Sequence, residues 1–397
     1  MKKTIILLVL GTILSCTSKK DEKSEKNTRN KIRIDVDAKA KYSLSELISI
    51  DSVLILESSE NCLLPSVDQI EIFKDKLYIR CNNTLFIFGS EGHFIHKFCK
   101  IGKGPGEYIQ LSGFDVMDDG SLLFSDHRGQ KIIKYSNDGE FIKEVKTGLW
   151  SRGFTTIGNN DLAYIYQGVS FSNKSRDRLN YFSISLKKIT KSYFHITDTE
   201  MRHLAYVMPR NFIKKNQDSV FFFYPPFKDV YLLTKNKAEL YYTVDFGKYS
   251  LPEDLLNLNF KARGFSERFR RNKNYVPFLY YFYEDKKNKY LSFNYNANHF
   301  YAVVDKTKPK EKSTKVFHRC VDDLFHSGES FEFEKIFDPI ANNKGSYVSV
   351  FHKSAVNQKI TTAVQTYLEN QDNPSKRYLL PLDNMNQNHF IVFYSLK

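Results

Sequence analysis

The residues best typed for chemistry lie in two short stretches, Gly102-Lys103-Gly104-Pro105-Gly106-Glu107-Tyr108 and Asp126-His127-Arg128. Three glycines and a proline within seven residues free backbone N–H groups to cradle an anion, with Gly104, Gly106, Glu107 and Tyr108 as ligand-binding candidates. The competing and preferred account is structural: the glycines permit a tight crossing between sheets, Glu107 caps stray amides and Tyr108 packs beneath. The stretch lacks the Gly-Lys-Ser/Thr ending of a phosphate loop, so nucleotide binding is not supported. Asp126, His127 and Arg128 are expected in the turn after a strand, facing a channel or a rim, where a metal ligand or general base could sit. An Asx-type turn, with Asp126 bonded to the backbone and Arg128 answering a neighbouring carboxylate, explains them more simply.

Other catalytic signatures are missing. The sequence holds no Gly-x-Ser-x-Gly elbow and no His-x-His or His-Glu-x-x-His cluster. Pairs such as Glu57/Glu60 and Glu253/Asp254 are what any chain with 45 acidic residues contains. Tyr280-Tyr281-Phe282-Tyr283 beside Lys286-Lys287 offers rings on which a sugar could stack, although a buried strand accounts for them first.

The elements that must position these residues are strands. The chain has 33 Phe and 25 Tyr, a composition suited to half-buried pleated surfaces. Residues 85–95 realign on residues 132–142 at an offset of 47: in each, an apolar strand ends in an aromatic, Glu91-Gly92 or Asp138-Gly139 makes the turn, and Phe-Ile opens the return strand. A period of this size with several short strands per unit predicts a β-propeller. Inner-strand starts are expected near residues 77, 122, 162, 220, 290 and 347, giving six blades. The run Ser52-Val53-Leu54-Ile55-Leu56 is expected to complete the last blade and close the ring. Two helical insertions are expected, one from Ser250-Leu251-Pro252-Glu253 into a stretch holding Lys261, Arg263, Arg268, Arg270 and Arg271, the other over residues 355–368.

The chain begins with Lys2 and Lys3, an apolar run over residues 5–10, and Leu14-Ser15-Cys16. This is the pattern of a secretory signal peptide and resembles a bacterial lipoprotein signal, in which the cysteine becomes the lipidated N-terminus. The expected organisation is a signal peptide over 1–15, a flexible polar tether over 16–33, and a β-propeller domain over 34–397. Formal net charge is +14, about +12 once Lys2 and Lys3 leave, with lysines scattered through turns as a solvated surface. Export makes nucleic acid the least favoured partner. Cys62, Cys81, Cys99 and Cys320 match no zinc spacing, and buried free thiols are favoured over a Cys81–Cys99 bridge.

With Phe114-Asp115-Val116 and the turn at Asp138-Gly139, the 102–108 stretch resembles an NHL-type repeat, and more closely the six-bladed β-propeller lipoproteins of Gram-negative bacteria that carry a GxGPGEY turn. The resemblance covers residues 70–145 in detail and implies an all-β, six-bladed fold and an envelope address rather than a reaction. The expected function is therefore a non-catalytic binding or scaffold protein, anchored through lipid on Cys16, in the outer membrane facing the periplasm or the surface. Its expected partners are the membrane and an unidentified envelope protein or glycan, with a monomeric chain. The alternative is an envelope hydrolase or lyase using channel-facing Asp, His or Arg residues. No cofactor is expected, and a divalent metal in the central channel is left open.

Overall fold

A computed structural model describes residues 31–397 except 157–160, 168–173, 199–212, 217–218, 224–227, 253–273, 278, 310–312, 344, 352–356 and 380–388. Among the described residues the strands form seven sheets. In chain order the first four begin with the strands Gln69–Phe73, Leu111–Val116, Gly153–Thr156 and Ile213–Asn216, each followed by three antiparallel neighbours. The fifth begins with Leu279–Glu284 and the sixth with Pro339–Asn343. The first strands pack on one another around a common channel, the arrangement of a β-propeller.

Two expectations are corrected here. The count of six falls one sheet short, because Tyr42–Ser43, Arg319–Val321 and Ser330–Glu332 build a separate three-stranded sheet. Strands of two or three residues, drawn from positions nearly 280 residues apart, leave no periodic trace in the sequence. The innermost strands are also not those beginning near 77, 122, 162, 220, 290 and 347; these positions fall in the second strand of each sheet. The true first strands face a polar channel on one side, so they read as Gln-Ile-Glu-Ile-Phe or Ile-Lys-Lys-Asn rather than as apolar runs.

The repeat is physically real. Both hairpins carry a register shift at equivalent places, between Ile87 and Phe88 and between Lys134 and Tyr135. Both turn through a glycine of positive φ, Gly92 at 85° and Gly139 at 83°. Apolar faces of neighbouring sheets then fill the space between them. Tyr78, Leu85 and Phe98 of the first sheet meet Phe114, Phe124 and Tyr135 of the second in one core cluster. The abundant tyrosines serve this packing: Tyr347 stacks on Tyr394 with ring centroids 5.7 Å apart, and the Tyr394 hydroxyl donates to the Phe337 carbonyl at 2.6 Å.

The ring closes as expected. Ile48–Ile55 pairs antiparallel with Phe390–Leu396, so one sheet joins both ends of the chain. The expected tether ends sooner than residue 33, because Lys31–Arg33 pairs in parallel with Ala238–Asp245 and covers that sheet's outer edge. The signal segment and Cys16 lie outside the described residues, as does the basic stretch holding Lys261 to Arg271. The second expected helix runs Gln358–Glu369, with the Asn357 side chain accepting from the Ile360 amide at 3.0 Å. Short helices at Leu44–Leu47 and Glu334–Phe337 are additional to the two expected. Cys62, Cys81, Cys99 and Cys320 are all free thiols, Cys99 exposed and the others buried.

Closure makes a prediction. Ile391 is fully buried against Leu54, so Ile391→Ala should lower unfolding free energy by about 3 kcal/mol. Truncation before Phe390 should remove the cooperative urea transition altogether, and a truncated chain that still unfolds in one sharp step would show that the ring holds without its seam.

Candidate functional site

Because the first strands line the channel, their polar side chains converge there. The channel holds a cavity of about 940 Å³. At its wall, Glu71 from the first sheet, Asp115 from the second and Lys215 from the fourth form one charged cluster. Lys215 Nζ lies 2.5 Å from Asp115 Oδ1 and 3.9 Å from Glu71 Oε2. The third sheet completes it: Asp115 Oδ2 accepts from the Thr156 amide at 2.5 Å, the Thr156 hydroxyl at 2.6 Å and the Thr155 hydroxyl at 3.2 Å. Glu71 accepts from the Val116 amide at 3.1 Å and from Gln69 Nε2 at 3.0 Å.

One ammonium group cannot neutralise two largely buried carboxylates placed this close together, so the cluster retains a proton. Asp115 is fully buried and accepts from the Thr156 amide, the Thr156 hydroxyl and Lys215 Nζ. The proton therefore resides on Glu71, whose pKa is pushed up to about 8 by burial and by the adjacent Asp115 charge, against the opposing pull of Lys215. Burial lowers the Lys215 pKa, but the two carboxyl groups outweigh it and drive it upward. Glu71 keeps 16% of its side-chain exposure and reaches the cavity; Lys215 keeps 34%. Chemically, the cluster is a proton-holding carboxyl beside a fixed ion pair.

The sequence-selected residues lie elsewhere. Glu107 folds over Gly102, where a Cβ would meet its Oε2 at 1.9 Å, and accepts from the Gly104 amide at 2.8 Å. The Gly106 amide is taken by Glu144 at 3.3 Å, and its carbonyl accepts from Tyr135 at 2.6 Å. Tyr108 is fully buried and donates to the Asn83 carbonyl at 2.7 Å. The anion cradle is thus filled by the protein's own carboxylates. Asp126 accepts from the amides of Ile109, Gln110 and Gly129, each at 3.0 Å, which is the turn-capping role. His127 Nδ1–H donates to the Ser151 carbonyl at 2.8 Å, and burial together with Arg152 and Arg128 holds its pKa below the ordinary value. Arg128 is exposed. Phe282 and Tyr283 are buried core residues, and Tyr280, Tyr281 and Tyr283 line the cavity.

Sequence reasoning missed Glu71, Asp115 and Lys215. A signal existed in the alternation of Gln69 and Glu71 with Ile70 and Ile72, which places two polar side chains on one face of a strand. Nothing local joins them to Lys215, 144 positions from Glu71. Among the described residues no group of three or more His, Cys, Asp or Glu side chains is placed to hold a metal ion, and no helix is long and apolar enough to cross a membrane.

Residues 30–395 match the family described as Domain of unknown function (DUF4934), and the chain belongs to that family. No curated protein matches the sequence. A protein from Bacteroides fragilis NCTC 9343 whose description calls it exported has a crystal structure similar to this chain, with a TM-score of 0.69 and 17% identity over 92% of this chain and 99% of its own. A DUF4221 member from Bacteroides vulgatus aligns with a TM-score of 0.49 and 9% identity over 89% of this chain and 99% of its own. The first likeness supports the β-propeller fold alone.

The cluster predicts a pH signature. A free glutamate releases its proton near 4.3, whereas Glu71 keeps it to about 8, so the folded state binds more protons between those values and stability falls as pH rises through them. Glu71→Gln should remove that component, so the urea midpoint of the wild type should decline relative to the variant between pH 5 and 8.5; parallel curves would contradict the assignment. Lys215→Met, leaving Asp115 buried without its counter-charge, should cost about 2 kcal/mol, reduced from the fully buried case by the partial exposure of Lys215.

Proposed function

We propose that this DUF4934 member is an exported, lipid-anchored envelope protein whose propeller binds a ligand or partner without converting it. The anchor is Cys16, the address is the outer membrane, and the binding surface is the channel and its loops. The observation that carries the reading is the pairing of charged groups: in the channel Asp115 and Lys215 form an ion pair, and away from it Asp126 and His127 are bonded to backbone groups. The cavity wall combines charged, polar and aromatic side chains, the composition of a binding site. The exported description of the Bacteroides fragilis protein and the resemblance to GxGPGEY propeller lipoproteins agree with this address.

One observation favours a hydrolase or lyase instead. Glu71 is a protonated carboxyl at neutral pH, reaches the cavity and sits beside an ionised partner, which suits a general acid.

Two measurements decide between them. Cys16→Ser should shift the full-length protein from the membrane to the soluble fraction, and a variant that still sediments with membranes would remove the lipid anchor. Ligand eluted after prolonged incubation should be chemically unchanged by mass spectrometry; conversion by the wild type but not by Glu71→Gln would replace the binding reading with the enzyme.

A further inference from the structure

The ends of the channel are not equivalent. Each of the first five sheets has four antiparallel strands within the ring, so the chain leaves the fourth strand at the end where it entered the first. The starts of the first strands therefore share one mouth. Arg80, paired with Gln69 across the first sheet, lies there, as do Ser112, Arg152, Lys214, Tyr280 and Tyr281, all lining the cavity.

Two guanidinium groups flank the start of the second sheet at this mouth. Arg80 Nη1 reaches the Leu111 carbonyl at 3.4 Å, and Ser112 Oγ lies 3.3 Å from the hydroxyl of Ser151, the residue before Arg152. Arg80 is answered by Asp68 at 3.2 Å. Arg152 is not answered: its side chain makes no hydrogen bond or ion pair with a described residue, and its Nε is buried without a partner. The Arg80 Nε is in the same condition, as is Asn342 Nδ2 elsewhere on the cavity wall. Thus every buried, unpartnered side-chain polar atom on the cavity-lining residues is an N–H donor. Those atoms are themselves occluded, but the terminal nitrogens of Arg152 are not, make no hydrogen bond with a described residue and belong to a cavity-lining side chain, so they offer donors to an oxygen-rich, negatively charged ligand.

A guanidinium fork fits a carboxylate bidentately. Across the mouth, Lys214 sits 4.6 Å from the centre of the Tyr281 ring, so cationic and aromatic surface are side by side. A ligand that combines a carboxylate with a ring face satisfies both. Resting on the binding reading above, we infer that this mouth binds a carboxylate-bearing sugar, a uronate, with Arg152 as its anion anchor and Tyr280 and Tyr281 contacting the ring.

The test is calorimetric titration of the mature protein with trigalacturonate and with its methyl ester, which keeps the sugar backbone and removes the charge. The acid should bind, more weakly as salt rises, and the ester should bind at least tenfold more weakly. Arg152→Ala should lose about 10- to 100-fold in affinity, the range for a charge-assisted hydrogen-bonded pair. Arg152→Lys should be intermediate, and Arg128→Ala, on an exposed neighbouring turn, should match the wild type. Unchanged melting temperatures would exclude misfolding, and the lysine variant carries the test should the alanine variant not fold. Equal binding of acid and ester, wild-type affinity in Arg152→Ala, or no binding of either probe would overturn the uronate site. None of these would touch the binding reading itself, which stands or falls on ligand recovered unchanged.

Discussion

Every feature of this molecule depends on one seam, the antiparallel pairing of Ile48–Ile55 with Phe390–Leu396. Each sheet alone is a small twisted meander with two apolar faces and no core of its own. The apolar faces are buried only when neighbours stand on both sides, and only a closed ring gives every sheet two neighbours. The seam joins residues more than 330 positions apart. Its loop-closure entropy is large, but the buried apolar surface released to the other sheets is shared around the whole ring.

Closure also creates the channel and fixes its chemistry. Glu71, Asp115, Thr155, Thr156 and Lys215 come from four sheets, and no two adjacent sheets contain the full cluster. The cluster ties the sheets at the axis by charge where the apolar cores tie them at their flanks. It also keeps a proton on Glu71 at neutral pH, a consequence of burial and of two carboxyl groups sharing one ammonium.

Function in such a fold is decided by what the ring leaves unsatisfied. The 102–108 and 126–128 turns satisfy themselves: Glu107, Glu144 and Asp126 absorb the amides that glycine-rich chain exposes. Their chemistry is spent on holding the crossing into the second sheet and the turn that packs against it. The channel mouth differs, because Arg152 is placed by its neighbours in the wall without an acid among the described residues to meet it. Polar groups that the fold positions but does not pair are where a ligand gains most by binding.

The sequence by itself determined the local rules. The 47-residue repeat is visible because a hairpin turn needs a positive φ at Gly92 and Gly139, and because apolar and aromatic residues must alternate along half-buried strands. The closing role of residues 52–56 was legible for the same reason, as an apolar run without local partners. The innermost strands were not, since residues facing a wet channel break the apolar pattern that marks a strand, and the three-stranded sheet was hidden by the shortness of its members. Only the tertiary structure brought Glu71, Asp115 and Lys215 together and left Arg152 without a partner among the described residues. Strand identity is a matter of neighbouring residues, whereas the meeting of charges across a channel depends on the order and closure of whole sheets.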